Sequence, residues 1–196
     1  STRGLIGGGQ SVPGATQYTD ITYITIAQTG DSVDFGDLNN GGSDGGACSS
    51  PTRGIFAGGS PGHNVIDSVT ISTLGDAMDF GDLNGSSKRG CHGGGASATR
   101  GIFGGFGPTA VNNIEYITIS TLGNAQDFGD LTTTLKHGAS CSSVTRCIWS
   151  GGYRGGSKSV TIDYVQIAST GDAIDFGDLT DDPHYHAACS NGHGGL

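Results

Sequence analysis

Carboxylates at three-residue steps are the first feature of this chain with chemical potential. Asp31, Asp34 and Asp37 form one such set, and Asp172, Asp175 and Asp178 form another. Gathered acids suit calcium, but calcium loops place ligands at every second residue around a sharp Gly turn. Strand alternation would also send Asp34 and Asp37 to opposite faces. Each set surrounds an Asp-Phe-Gly triplet, which holds magnesium in some phosphoryl-transfer sites. Here it recurs four times with no lysine-bearing strand or catalytic loop around it, so its Phe is expected to pack and its acids to sit in turns. His184 and His186 lie two apart, so a strand would show both on one face, with His193 close behind. Copper or zinc suits such a pair. However, Asp44, Arg89 and His137 hold comparable positions elsewhere, which reads as a loop of varying polar content, with no metal or cofactor expected.

Other candidates for chemistry are repeated rather than singular. Arg3, Arg53, Arg100 and Arg146 recur at one position and would ring an anion or, as expected here, bond carbonyls and carboxylates structurally. Cys48, Cys141 and Cys189 share a second position; with Cys91 and Cys147 they make five, an odd number without a CxxC pair. That count indicates neither a disulfide framework nor a structural zinc site, and all five are expected as thiols. Asn84-Gly85-Ser86 is a single glycosylation sequon in a Gly-Ser loop. The chain has one Glu, Glu115, and no recurring set of nucleophile, base and orienting group. A non-enzymatic protein is expected.

Composition narrows the class further. The 196 residues include 38 Gly and 5 Pro, with neither a collagen period nor the uniform polarity of a disordered linker. Acids outnumber Lys and Arg by 18 to 9, for a net charge of −9, and all but one of the acids are Asp. Asp prefers turns and caps where Glu prefers helices, so little helix is expected. Without a basic run, neither nucleic acid nor an anionic membrane surface is an expected partner. No apolar run approaches the ~18–20 residues of a membrane span, and no leader of secretory type is visible. Opening on Ser rather than Met points to a processed product, a fragment or part of something longer.

The elements that must position these residues come from an internal repeat. Thr-Arg followed by an apolar pair occurs with its Arg at 3, 53, 100 and 146, and Asp-Phe-Gly-Asp-Leu occurs with its Phe at Phe35, Phe80, Phe128 and Phe176. Between them, β-branched segments open at Ile21, Ile66, Ile114 and Ile162. Glycine-rich turns bound these runs, and β-branched and aromatic residues fill them, which predicts strands. In the second repeat the expected strands are A (47–50), B (53–57), C (66–72) and D (78–83). The repeats run at about 1–43, 44–88, 89–136 and 137–183 of a single 1–196 domain.

Four strands at a period of this size predict an all-β fold, the blade of a β-propeller. The pattern resembles the kelch repeat: a hydrophobic strand ending in a double glycine (Gly8-Gly9, Gly58-Gly59, Gly151-Gly152), then a tyrosine (Tyr23, Tyr116, Tyr164), then an aromatic before the last strand. The third repeat departs with Gly105-Phe106, the second has Ser68 for the tyrosine, and Phe replaces the family's tryptophan. The first repeat lacks strand A, and 184–191 copies it, so a C-terminal strand is expected to close a four-bladed ring. Half of an eight-bladed ring, or a slice of a longer array, are the alternatives.

The B–C and D–A connections vary among the repeats while the A–B and C–D turns hardly do. Variable loops on a fixed scaffold are where binding usually resides. Tyr18, His63, Phe106, Tyr153 and Arg154 are the ligand-binding candidates there, the exposed aromatics being suited to stacking on a sugar. The wording of the repeats also resembles virion structural proteins of tailed phages, notably marine and cyanobacterial ones. That resemblance implies a fibre or appendage protein, assembled in bacterial cytoplasm and displayed on the virion or an extracellular surface. Its implied partners are other virion or filament subunits and a host-surface glycan or protein, in an oligomeric assembly. A bacterial extracellular adhesin or filament subunit is the second reading, and a metal-dependent enzyme on the same scaffold the third.

Overall fold

Runs such as Ile21-Thr22-Tyr23-Ile24-Thr25 put branched and aromatic side chains on both faces of the backbone, which suits strands covered on two sides. In a computed structural model that describes residues 2–12, 16–84, 93–107 and 110–190, these runs form strands, with no helix among the described residues. In chain order the strands are β1 (Arg3–Gly7), β2 (Asp20–Thr25), β3 (Val33–Asp37), β4 (Gly46–Ser49), β5 (Arg53–Gly59), β6 (His63–Thr70), β7 (Met78–Asp82), β8 (Gly94–Ala96) and β9 (Arg100–Gly104). They continue as β10 (Val111–Thr118), β11 (Gln126–Lys136), β12 (Ala139–Ser142), β13 (Arg146–Ser150), β14 (Tyr153–Arg154), β15 (Ser157–Lys158), β16 (Thr161–Gln166) and β17 (Ile174–Asp178). Gly85 and Ser86 of the sequon, Arg89, Cys91 and His193 lie outside the described residues.

The strands assemble into four antiparallel sheets. Sheet 1 is β1-β2-β3, sheet 2 is β4-β5-β6-β7, and sheet 4 is β12-β13-β16-β17. Sheet 3 orders β8-β9-β10-β11 and continues into the hairpin β14-β15, which the fourth repeat lends to it. There Tyr153 and Arg154 pair with Lys136 and Leu135 on the long β11.

Among the described residues sheet 1 has three strands, and residues 184–190 do not supply a fourth. Residues 186–190 carry no strand assignment. Gly152 N donates to Pro183 O at 2.8 Å and Tyr185 N to His137 O at 3.0 Å, which ties the segment to the turns of repeat four. It then runs beside β12, where Ser190 Oγ donates to Ser142 O at 2.5 Å. The expected closing strand is thus held on sheet 4 by these bonds, without a strand pairing to β1 among the described residues.

Asp-Phe-Gly-Asp proves to be a β-bulge. In sheet 2, Ile66 pairs with Gly81 and Asp67 with Asp79, leaving Phe80 as the extra residue; the same shift skips Phe35, Phe128 and Phe176. A bulge re-aims its extra side chain, and here it sends the Phe into the following sheet. The next residue must be Gly: Gly81 has φ +145°, and a Cβ on it would lie 2.5 Å from the Gly123 carbonyl carbon of sheet 3.

Three apolar clusters result, each between consecutive sheets. Phe35 packs with Val69 and Ala77, Phe80 with Ile117, Ile119 and Ala125, and Phe128 with Val165, Ile167 and Ala173. Four hydrogen bonds accompany each cluster. Between sheets 1 and 2, Gly75 N donates to Phe35 O (2.8 Å), Ala77 N to Asp37 O (2.7 Å), Asp37 N to Asp76 Oδ1 (3.1 Å) and Arg3 Nη1 to Ile71 O (2.8 Å). The equivalent bonds join sheets 2 and 3 through Arg53 and Ile119, and sheets 3 and 4 through Arg100 and Ile167. A buried carboxylate adds to each contact: Asn39 donates to Asp67, Asn84 to Glu115 and Thr132 to Asp163. None of the described cysteines, Cys48, Cys141, Cys147 and Cys189, forms a disulfide.

Candidate functional site

The connections leading into the inner strands share an unusual backbone. Asp44, His137 and Tyr185 occupy one repeat position and have φ of 59°, 56° and 56°. Left-handed conformations in residues other than Gly carry strain and tend to persist at special sites. In the fourth repeat this geometry turns His137 and Tyr185 toward each other, with ring centroids 4.2 Å apart and planes tilted by 33°.

Tyr153 completes the group from the lent hairpin. Its ring lies 5.1 Å from His184 and 6.2 Å from His137, both edge to face, and His184 is 5.3 Å from Tyr185. Lys136 Nζ stands 5.6 Å from the Tyr153 centroid. Four rings from three chain segments therefore converge at one end of sheets 3 and 4, with Tyr185 exposed. His137 titrates below the ordinary imidazole range because of burial first and the Lys136 cation second, with Asp44 opposing. His186, bonded to Ser150 Oγ at 3.2 Å, is lowered by burial and by His184. Neutral imidazoles donate and accept hydrogen bonds, and tyrosine faces stack on apolar ring faces. The cluster suits a hydroxyl-rich ring such as a sugar. No group of three or more His, Cys, Asp or Glu among the described residues is placed to hold a metal.

The five residues singled out from sequence do not form one site. Tyr153 belongs to the ring cluster. Arg154, its neighbour, faces the opposite way and is buried: Nη1 pairs with the fully buried Asp163 at 2.5 Å, Nε donates to Gly151 O and Nη2 to Trp149 O. It is a structural ion pair rather than a ligand contact, because strand alternation in β14 sends successive side chains to opposite faces. Phe106 is also misplaced by its sequence. It is 1% exposed and belongs to the apolar cluster of Ile55, Ala57 and Phe103, following Gly105 in a left-handed turn at φ +69°.

Tyr18 is exposed on the loop before β2. His63 opens β6 and lines a cavity of about 350 Å³ with the edge of β1 (Leu5, Ile6, Gly7) and Asp67. Both of its ring nitrogens are buried without a hydrogen-bond partner, and its pKa is lowered by burial against the raising effect of Asp67. Sequence reasoning passed over Tyr185 and treated His137 and His184 as loop polarity. The available signal was the alternation His184-Tyr185-His186 at the start of the expected closing strand, but only the left-handed turns bring those rings to Tyr153.

The arginines and phenylalanines of the repeat are spent on the scaffold at three of four positions. Arg3, Arg53 and Arg100 bond carbonyls of the following sheet, and Phe35, Phe80 and Phe128 are each 2% exposed. Arg146 lies over Tyr164 of its own sheet, and Phe176 is 54% exposed. Compared with models of protein families and with curated proteins, the sequence matches none.

Proposed function

We propose that this chain is a non-enzymatic structural and recognition module, its four sheets acting as consecutive blades of a kelch-like propeller. In this reading it is a fibre or appendage subunit of a tailed-phage virion, set among like subunits, and it contacts a host-surface glycan through the variable loops. The observation that carries the recognition role is the cluster of His137, Tyr153, His184 and Tyr185. It is built from non-repeated residues on a scaffold whose repeated polar groups are occupied, at the three contacts between consecutive sheets, in holding those sheets together. Sugar rings are recognised by stacked aromatic faces flanked by groups that both donate and accept, and neutral histidines supply the second part.

The test is a glycan array probed with the purified chain, followed by titration of any hit. Tyr153→Ala and Tyr185→Ala should each weaken binding by roughly tenfold or more, the scale of a central aromatic contact. Binding that is absent, or unchanged in both variants, refutes recognition through this cluster.

A further inference from the structure

Three repeat positions break their own burial pattern, and they lie on the two terminal sheets. Ile26 is 67% exposed, whereas its equivalents Ile71, Ile119 and Ile167 are at most 6% exposed. Ile6 is exposed where Phe56 is half-buried and Phe103 and Trp149 are fully buried. Both belong to sheet 1, on the side that the other sheets turn toward their predecessor. Phe176 is the third, on the side of sheet 4 that the other sheets turn toward their successor.

The hydrogen-bonding groups are left over in the same matched way. At each internal contact the earlier sheet offers a Phe carbonyl, an Asp N–H and carbonyl, and an Arg guanidinium. The later sheet offers a Gly N–H, the N–H two residues on, an Asp or Asn side-chain oxygen, and an Ile carbonyl. Sheet 4 retains the first set in Phe176, Asp178 and Arg146. Sheet 1 retains the second in Gly30, Asp31, Ser32 and Ile26. None of the four bonds between these two sets is formed among the described residues. Backbone room is left as well: a Cβ on Gly36, Gly81 or Gly129 would strike the following sheet at 2.5 Å, whereas one on Gly177 would meet nothing within 4 Å.

We infer that a second copy of this chain docks head to tail, its sheet 1 covering sheet 4 of the first. The occupant is another copy because the two faces are the halves of a contact that this chain already makes three times. The C-terminal segment fits the same arrangement. Ser190 Oγ reaches Ser142 O just as Ser142 Oγ reaches Ala96 O, at 3.4 Å. The segment therefore lies where the inner strand of a following sheet belongs, and sheet 1 of the incoming copy is the sheet that lacks one. The contact is heterologous, so copies build either a closed ring or an open filament. Its apolar faces at Ile26 and Phe176 hold none of the four clustered rings, so the inference stands whether or not the loops bind glycan.

Sedimentation velocity of the full chain over a range of concentrations tests this, with circular dichroism confirming that each variant is folded. The wild-type chain should associate with rising concentration. Ile26→Asp and Phe176→Asp, each placing a charge in the contact, should weaken association by about 100-fold or more and sediment as single chains. Gly177→Ala should weaken it by at least about tenfold by placing a methyl group in the contact, beside the backbone strain that any side chain meets at φ +137°. An equimolar mixture of Ile26→Asp and Phe176→Asp retains one intact head and one intact tail, and should form a two-chain species and nothing larger. A wild-type chain that stays single at every concentration overturns the inference and points to sheet 1 closing on sheet 4 within one chain. Association of Ile26→Asp by itself, or a mixture that stays single, overturns it as well, the former indicating a symmetric contact between like faces.

Discussion

Phe128 and Phe176 stand in identical motifs, yet their replacement should cost very different amounts. Phe128 is 2% exposed and packs against Val165, Ile167 and Ala173, so Phe128→Ala removes its transfer free energy and leaves a cavity between sheets 3 and 4. Such changes cost about 3–5 kcal/mol. Phe176, at 54% exposed, has about half of its side chain in water already and leaves no enclosed cavity. Half of the ~1.5–3 kcal/mol for burying a large apolar side chain gives about 1 kcal/mol. The gap of about 2–4 kcal/mol is large beside the ~5–15 kcal/mol stability of an ordinary domain. In a chain of this length it corresponds to a fall in Tm of about 6–20 °C for Phe128→Ala against about 2–4 °C for Phe176→Ala. The assay is urea and thermal unfolding by circular dichroism in an Ile26→Asp background, which keeps copies apart. Equal costs at the two positions would refute the reasoning, because they would require Phe176 to be covered within a single chain.

Arg154→Met should destabilise by about 3–5 kcal/mol by leaving Asp163 charged, buried and without its cation, with Arg154→Met/Asp163→Leu recovering most of the loss in urea midpoint. Gly129→Ala should unfold the chain or lower its Tm far more than Gly177→Ala, since both have φ near +140° but only Gly129 faces a neighbouring backbone. His63, His137 and His186 all titrate below the ordinary value of about 6.5, so the unfolded chain binds more protons just below that pH. Stability should therefore be full above pH ~6.5 and fall as pH drops from there toward the folded-state pKa values. A series of Tm measurements against pH checks the sign, and His63→Asn should flatten part of the slope.

Much of the fold was legible because its signals are local. The expected strands at 47–50, 53–57, 66–72 and 78–83 correspond to β4, β5, β6 and β7, since branched residues at period two and glycines at turns act over a few neighbours. The candidate site was read less well. Tyr153 joins the ring cluster, but Arg154 beside it turns inward, and Phe106 is core. Those outcomes depend on a hairpin crossing from one repeat to the neighbouring sheet and on a left-handed Gly105, neither of which leaves a periodic trace.

By itself the sequence determined the repeat, the all-β character and the acidic balance, because each follows from composition or from short-range backbone preference. The bulge at Asp-Phe-Gly-Asp, where turns were expected, came instead from strand pairing. Only the tertiary structure decided which copies of a motif are buried. Phe80 and Phe176, or Ile71 and Ile26, read alike in their local wording, and burial distinguishes them because it depends on whether another sheet lies against that face. The same long-range placement sets the C-terminal segment beside β12 and leaves Ile26 and Phe176 of the two terminal sheets exposed.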